Sequence, residues 1–238
     1  MKLSEATLSV LKNFSTINNN ILIHPGNVLR TVNDAQIKTI FANATVPDTF
    51  PEKIGIFDLT EFLNVVNLLG GPEETDFAFE TKRVILSSSK NRSKVQYWYA
   101  ADTALSYPEK DIKMPEPQVT FEMTGSVLSQ LRRAASTFGH STMSFFNTDE
   151  MICAKVFDPE VASSNTFEMD VSTLDEPLPV EFNFLFNIQN LKSLAFGPNE
   201  TIEINLAAMG KGKISQFIGD HVTYYISVDS DSMMKEKP

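Results

Sequence analysis

The amino-acid sequence predicts an α+β fold in which antiparallel β-strands dominate and short helices recur in two similar halves. Three observations support this prediction. Apolar and polar side chains alternate through most of the chain, four segments show helical spacing instead, and the helical segments repeat their residue pattern about half a chain apart. A chain of 238 residues has room for two domains of about 120 residues each.

Period-2 alternation marks the strands, because successive side chains of a strand point to opposite faces of a sheet. The alternating runs are bounded by Gly, Pro, Asn, Asp or Ser, which favour turns. The clearest runs are Phe77/Phe79, Val95/Tyr97/Tyr99, Phe182/Phe184/Phe186, Ile202/Ile204/Leu206 and Val222/Tyr224/Ile226/Val228. Most of the chain is therefore expected to form antiparallel sheet.

Helical spacing replaces alternation in four segments. They span residues 4–14, 59–69, 126–138 and 188–195. In the second segment an i, i+3, i+4, i+7 apolar stripe is formed by Leu59, Phe62, Leu63, Val66 and Leu69. Asp58 precedes Glu61 by three residues, as in a capping box. We therefore expect an amphipathic helix that begins directly after Asp58.

The helical segments recur in the same order in both halves. Leu8-Ser9-x-Leu11-Lys12 returns as Leu128-Ser129-x-Leu131-Arg132, and Phe57-Asp58-Leu59-x-x-Phe62 returns as Phe186-Asn187-Ile188-x-x-Leu191. Either pair alone is compatible with chance similarity between short leucine-rich helices. Two pairs in the same order favour an internal duplication.

The duplication predicts two domains, at residues 1–103 and 118–238. Residues 104–117 between them contain three prolines and mixed charges and have no sustained period, so they are expected to form an interdomain connecting loop.

Composition excludes several classes of protein. With 42% hydrophobic residues the chain can bury a core, yet no run approaches the roughly 18 apolar residues of a membrane span, so no membrane segment or export signal is expected. The single cysteine, Cys153, lies in an apolar run and is expected to be buried in the protein core. With one cysteine the chain cannot form an internal disulfide, which fits a reducing cytoplasm. The formal charge of -10 argues against tight nucleic-acid binding, which requires Lys and Arg to neutralise phosphates.

Patterns of catalytic or metal-binding residues are absent from the sequence. His24, His140 and His221 are far apart and lack metal-ligand spacing, so neither a metal nor another cofactor is expected. Residues 210–213 (GKGK) lack the order of a phosphate-binding loop and lie between two strand patterns, which favours a hairpin turn. The sequence therefore predicts a protein that is not an enzyme.

A series of short motifs spans nearly the whole chain. They are Met1-Lys2-Leu3-Ser4, Leu11-Lys12-Asn13-Phe14-x-Thr16-Ile17-Asn18, Phe57-Asp58-Leu59-x-x-Phe62-Leu63, Trp98-x-Ala100-Ala101-Asp102, Phe182-Asn183-Phe184-x-x-Asn187-x-x-Asn190-x-Lys192, Gly210-Lys211-Gly212-Lys213 and Phe217-x-Gly219-x-His221-x-x-Tyr224. In this order they resemble the sliding clamps of T-even-type bacteriophages, which are DNA polymerase processivity factors.

The resemblance implies a DNA-clamp fold, with two similar domains that each pack two helices on antiparallel β-sheets, in a subunit of a closed homotrimeric ring. The helices would line the hole, and exposed sheet edges would pair across subunit boundaries. Such a ring holds duplex DNA topologically and without sequence preference, so an acidic exterior no longer argues against DNA. It would tether the phage DNA polymerase for processive synthesis in the cytoplasm of the infected bacterial host.

The same resemblance implies further partners, namely an ATP-driven clamp loader complex and late-transcription factors. Partner peptides dock near the interdomain connector in this family. Tyr107, Ile112 and Met114 are the candidates for this contact, because they are apolar residues in a polar, proline-rich loop. Packing of the same residues against their own domain is the alternative.

Basic residues on or near the predicted helices are the candidates for a DNA-facing surface. They are Lys2, Lys12, Arg132, Arg133 and Lys192. Lys12 and Arg132 occupy matching places in the repeat, whereas the second helix has no basic residue. Each of the five is also compatible with an ordinary solvated charge. An acidic, β-rich phage structural or interaction protein that does not encircle DNA is the alternative function.

Overall fold

The computed structural model describes residues 1–209 and 212–237. The chain divides into two compact units, unit 1 at residues 1–111 and unit 2 at residues 112–238. A short 3₁₀ turn at Asp102–Ala104 is followed by a segment, residues 105–118, that forms neither helix nor strand. The division between the units lies within this segment.

Unit 1 combines two helices with three antiparallel strand arrangements. Its elements in chain order are α1 (Glu5–Ser15), β1 (Ile21–Ile23), β2 (Gly26–Val32), β3 (Ile40–Phe50), β4 (Ile54–Ile56), α2 (Leu59–Leu68), β5 (Asp76–Glu80), β6 (Arg83–Ser88) and β7 (Ser93–Trp98). Strand β1 pairs with β4, β2 pairs with β3, and β5, β6 and β7 form a meander.

Unit 2 follows the same order. Its elements are β8 (Val119–Thr124), α3 (Gly125–Phe138), β9 (Thr142–Asn147), β10 (Met151–Phe157), β11 (Phe167–Thr173), β12 (Val180–Asn187), α4 (Ile188–Lys192), β13 (Thr201–Met209), β14 (Gly212–Ile218), β15 (Val222–Ser227) and β16 (Met233–Glu236). Strands β9 and β12 pair as β1 and β4 do, β10 and β11 pair as β2 and β3 do, and β13, β14 and β15 form the second meander.

The chain ends of the two units also correspond. Strand β8 pairs with β13, and in unit 1 the amide of Phe77 in β5 donates to the carbonyl of Met1 at 2.7 Å. Strand β16 pairs with β12, and the amide of Ala100 donates to the carbonyl of Gly55 in β4 at 2.9 Å. The duplication predicted from short motifs is therefore confirmed as two similar α+β units.

In each unit, the first amide of the second helix donates to a carbonyl in the turn that follows the first helix. The amide of Leu59 donates to the carbonyl of Asn19 at 2.7 Å, and the amide of Ile188 donates to the carbonyl of Ser141 at 2.8 Å. Asp58 is the N-cap of α2, since its carboxylate accepts from the amide of Glu61. The first amide of a helix has no hydrogen-bond partner within that helix, so each of these two amides gains its partner from outside.

The core of each unit lies between its helices and sheets. In β12 the alternation buries Phe182, Phe184 and Phe186 completely, and Leu11 and Leu131 are equally buried on the first helices of the two units. Burying such a side chain stabilises the fold by about 1.5–3 kcal/mol. The apolar periodicity of the sequence therefore identifies the core.

Most predicted elements are confirmed, with one difference at α4. Helices α1, α2 and α3 lie within one residue of their predicted bounds, but α4 ends at Lys192 instead of Ala195. The chain leaves the helix there because the amide of Ala195 donates to the hydroxyl of Tyr224, at 3.1 Å. Cys153 is buried, as predicted. Of the predicted turn at residues 210–213, Gly210 and Lys211 lie outside the described residues, and Gly212 and Lys213 begin β14.

Candidate nucleic-acid interface

Three of the five basic candidates lie on the helix pair of unit 2. Arg132 and Arg133 follow each other on α3, and Lys192 is the last residue of α4. Arg133 and Lys192 are exposed, whereas Arg132 is half-buried. None of the ion pairs among the described residues involves Arg133 or Lys192. Both side chains therefore present their charge to solvent.

Arg132 differs from its neighbour because it holds α4 against α3. Its Nη2 donates to the carbonyl oxygens of Leu191 and Leu194, the latter at 2.7 Å. Leu191 lies in the last turn of α4 and Leu194 follows the helix, and a guanidinium is a favourable donor to carbonyls at a helix end. Burial lowers the pKa of Arg132. Its contact with DNA stays a prediction, and its hydrogen bonds give it a structural role.

The basic candidates of unit 1 are placed differently. The ammonium of Lys2, before α1, donates to the carbonyl of Glu73. Lys12 is exposed on α1, at the rim of a groove of about 490 Å³ between α1 and α2, which Leu8 and Leu63 also line. Glu5 of α1 lies on the same groove.

The helices of the two units consequently differ in charge. Helix α1 has one acidic and one basic residue and α2 has one acidic residue, which together give -1. Helix α3 has two arginines and α4 has one lysine, and their described ranges contain no acidic residue, which gives +3. Positive charge attracts phosphates at any base sequence, so the helices of unit 2 are the stronger candidate surface for duplex DNA.

The candidates for peptide binding are divided between the units. Tyr107 belongs to unit 1, whereas Ile112 and Met114 belong to unit 2, and all three are half-exposed. Tyr107 lies between two anchors of the connecting segment. The first anchor is Ser106 and the second is Asp111, whose carboxylate pairs with the Nε of Arg30 at 2.9 Å.

The first anchor depends on residues that sequence reasoning did not single out. The amide of Ser106 donates to Asn20, its carbonyl accepts from Asn18, and its hydroxyl donates to Asp34, at 2.8, 2.8 and 2.6 Å. The run of three asparagines at residues 18–20 was the available signal, because a buried Asn such as Asn18 requires partners. The connecting segment is thus bound to unit 1 as far as residue 111.

Neither metal chemistry nor a membrane span is indicated in the part of the chain that the structure describes. No group of three or more His, Cys, Asp or Glu side chains there is arranged to hold a metal ion. None of its helices has the length and apolar character to cross a bilayer.

The architecture is that of the DNA clamps. Proliferating cellular nuclear antigen from Entamoeba histolytica has a similar solved structure, with a TM-score of 0.67 over 96% of this chain and 97% of that chain, at 11% identity. PCNA from Thermococcus kodakaraensis gives the same TM-score over 95% and 98% of the two chains, at 14% identity. These structures show the fold, a DNA-clamp fold of two similar domains.

Sequence similarity identifies the family. The family model described as DNA polymerase processivity factor matches residues 2–105. The sliding clamp of Escherichia phage RB69 is 30% identical over 234 residues, covering 98% of both chains, and that of Vibrio phage KVP40 is 28% identical over 236 residues, covering 97% of this chain and all of the other. The chain belongs to the phage sliding clamps, the DNA polymerase processivity factors, as its motifs predicted.

Proposed function

We propose that three copies of this chain close into a ring around duplex DNA and tether the phage DNA polymerase to its template. The ring contributes no chemistry of its own and works in the cytoplasm of the infected bacterial host. The observation that supports it best is a pair of sheet edges with complementary charge, one in each unit. They are β7 of unit 1 and β11 of unit 2.

Strand β7 provides a basic edge. It pairs with β6 on one side, and within the described part of unit 1 no strand pairs with its other side. Val95 and Tyr97 are half-buried on one face, while Lys94 and Trp98 are exposed on the other. Arg92, just before the strand, is exposed as well. The edge therefore offers free backbone groups, apolar side chains and two positive charges.

Strand β11 provides an acidic edge of the same kind. It pairs with β10 and ends the sheet of unit 2, where no further described strand of that unit pairs with its other side. Glu168 and Asp170 are exposed on one face, and Met169 and Val171 are half-buried on the other. Its pattern of side chains matches that of β7, with the opposite sign of charge.

Pairing β7 of one copy with β11 of the next would satisfy both backbone edges and join the half-buried apolar faces. It would also place Lys94 near the two carboxylates. Because the edges belong to different surfaces of the chain, the contact is heterologous, and such contacts generate closed rings when the rotation closes. Three subunits of two units each would give a ring of six similar units.

Native mass spectrometry tests the ring directly. We expect a mass of three times 26.6 kDa. Arg92→Glu/Lys94→Glu and Glu168→Lys/Asp170→Lys should each dissociate the trimer, because like charges would then face each other. The four substitutions in one chain should restore it, and Lys38→Glu in the β2–β3 loop is the control with unchanged mass. A wild-type chain that stays monomeric would exclude the ring, whereas failure of the fourfold variant would exclude only this pairing of edges.

Topological confinement explains how a clamp with a net negative charge can stay on DNA. A closed ring needs only weak attraction to the phosphates, and strong attraction would slow its sliding. We propose that a subset of the five basic residues on or beside the helices, Lys2, Lys12, Arg132, Arg133 and Lys192, supplies this weak attraction. The acidic residues that give the whole chain its net charge of -10 then lie mainly on the remaining surface, where they oppose nonspecific DNA contact.

We further propose the partners of the ring. An ATP-driven clamp loader opens and places it, and the polymerase and late-transcription factors dock through peptides at the connecting loop, residues 104–117, between domains 1–103 and 118–238. Tyr107, Ile112 and Met114 are the proposed contact residues, and their half-exposure supports a surface role.

Primer extension with the cognate polymerase and loader tests encirclement. On circular templates the clamp should lengthen the products in a manner that depends on loader and ATP. On linear templates with free ends the effect should be reduced, since a ring slides off an open end. Equal stimulation of both templates without a loader would show that the chain does not encircle DNA.

A further inference from the structure

We propose that one of the two helix pairs, α3 and α4 of unit 2, carries the contact with duplex DNA. Arg133 and Lys192 are the phosphate-contacting residues, and Arg132 is a positioning residue. The inference rests on the proposed ring and makes it more specific, because a closed trimer would present three basic contact patches instead of six.

The charge of the helices contrasts with the charge of the units that contain them. Unit 1 has 11 basic and 13 acidic residues, a difference of -2, whereas unit 2 has 9 basic and 17 acidic residues, a difference of -8. The helices nevertheless carry -1 in unit 1 and +3 in unit 2. The more acidic unit therefore concentrates positive charge on its helix pair.

The helix pair of unit 1 is poorly suited to hold phosphates. Its groove is lined by both apolar and polar side chains, among them Leu8 and Leu63, and Glu5 lies on it together with Lys12. Glu61 on α2 is exposed and adds a second negative charge. The ammonium of Lys2 is already bonded to a backbone carbonyl. The carboxylates of Glu5 and Glu61 repel phosphates while the two lysines attract them, so little net attraction remains.

Arg132 positions Lys192 through hydrogen bonds to the backbone on either side of it. Its guanidinium bonds the carbonyls of Leu191 and Leu194, which flank Lys192 on either side. Helix α4 has five residues, and helices of this length do not persist without tertiary support. The two hydrogen bonds fix the end of α4 next to α3, and thereby the Cα of Lys192.

Two matched double variants test the asymmetry. Arg133→Gln/Lys192→Gln and Lys2→Gln/Lys12→Gln each remove two positive charges per chain. The measurement is the salt dependence of the complex that clamp, loader and a slowly hydrolysed ATP analogue form on nicked circular DNA. The loader's own contacts cancel between variants. For each phosphate that a variant no longer neutralises, the slope of log association against log salt should fall by about 0.9.

We expect the unit 2 variant to lower this slope and the unit 1 variant to leave it within error of wild type, with trimer mass unchanged in both. Arg132→Lys keeps the charge but loses the planar fork, so it should lower the slope although Arg133 and Lys192 are intact. A purely structural Arg132 would lower thermal stability and leave the slope unchanged. Equal decreases in the two double variants would overturn the inference and leave the ring in place. A wild-type clamp that is not retained on closed circles would overturn both.

Discussion

Units 1 and 2 share one chain order, yet they hold their first helices in different ways. Helix α1 begins at the N-cap Ser4, whose hydroxyl accepts from the amide of Thr7 and donates to Asp48. Helix α3 begins after Thr124, which makes no side-chain cap, and its first residue, Gly125, lies against the backbone of another segment. A duplicated topology therefore does not imply duplicated side-chain roles.

The same difference appears at the matching basic positions. Lys12 is exposed on α1, whereas Arg132 bonds two carbonyls at the end of α4. Helix α2 has ten residues and α4 has five, so the shorter helix depends more on support from its neighbour. Unit 2, whose second helix is the shorter one, therefore has the supporting arginine, Arg132.

The largest expected effect on the free energy of unfolding comes from the first residue of α3, compared with the first residue of α1. A Cβ atom at Gly125 would lie 2.1 Å from the carbonyl oxygen of Gly197, so Gly125→Ala forces backbone to move. We expect a loss of about 3 kcal/mol in the free energy of unfolding, as for severe overpacking. At the corresponding place in α1, Glu5 is exposed, and Glu5→Ala should change stability by less than about 0.5 kcal/mol. Urea denaturation at one fixed protein concentration measures both, and equal values would contradict the contrast.

A smaller effect is expected for the matching basic residues. Arg132→Met removes the donor to Leu191 and Leu194 while keeping an apolar stem, and it should cost about 2 kcal/mol because hydrogen bonds from a charged group disappear. Lys12→Met should be nearly neutral, since Lys12 is exposed. Hydrogen exchange of the α4 amides should accelerate in Arg132→Met only. Unchanged exchange would mean that α4 does not depend on this arginine.

The smallest effect concerns the cap of α1 and its dependence on pH. Burial raises the pKa of Asp48, but hydrogen bonds from Thr7 and Ser4 outweigh it and hold the pKa below its ordinary value. Its stabilisation is therefore present above the unfolded pKa of about 3.9 and is lost as the pH falls through the lowered value. Asp48→Asn should cost about 1 kcal/mol at pH 7 and flatten this part of the acid-unfolding curve. Thr124→Ala in unit 2 should leave the curve parallel to that of wild type.

Local patterns predicted most of the fold. Alternation at Phe182, Phe184 and Phe186 predicted β12 and its buried face, and the spacing after Asp58 predicted α2 with its cap. These predictions succeed because strand and helix periodicity reflect contacts that every residue of the element makes with one core. The end of α4 was missed, because Tyr224 and Arg132, which determine it, lie 29 and 59 or more residues away.

The candidate site was predictable in composition but not in role. The sequence places five basic residues on or beside helices, and the repeat distinguishes Arg132 from Arg133 by position, but it does not indicate a hydrogen-bond partner for either. The structure distinguishes their roles, because only the side chain of Arg132 donates to the carbonyls of Leu191 and Leu194. Likewise, the anchor of Ser106 joins Asn18 across 88 residues. Such pairings leave no periodic signal in the chain.

The sequence by itself determined the kind of elements, their duplicated order and the family, since each depends on residue patterns that local physics and common descent preserve. Only the tertiary structure decided which charges are committed to carbonyls, which stay in solvent and where the short helix ends. Those outcomes depend on hydrogen bonds between distant segments, whose geometry exists only after the two sheets and their helices have packed.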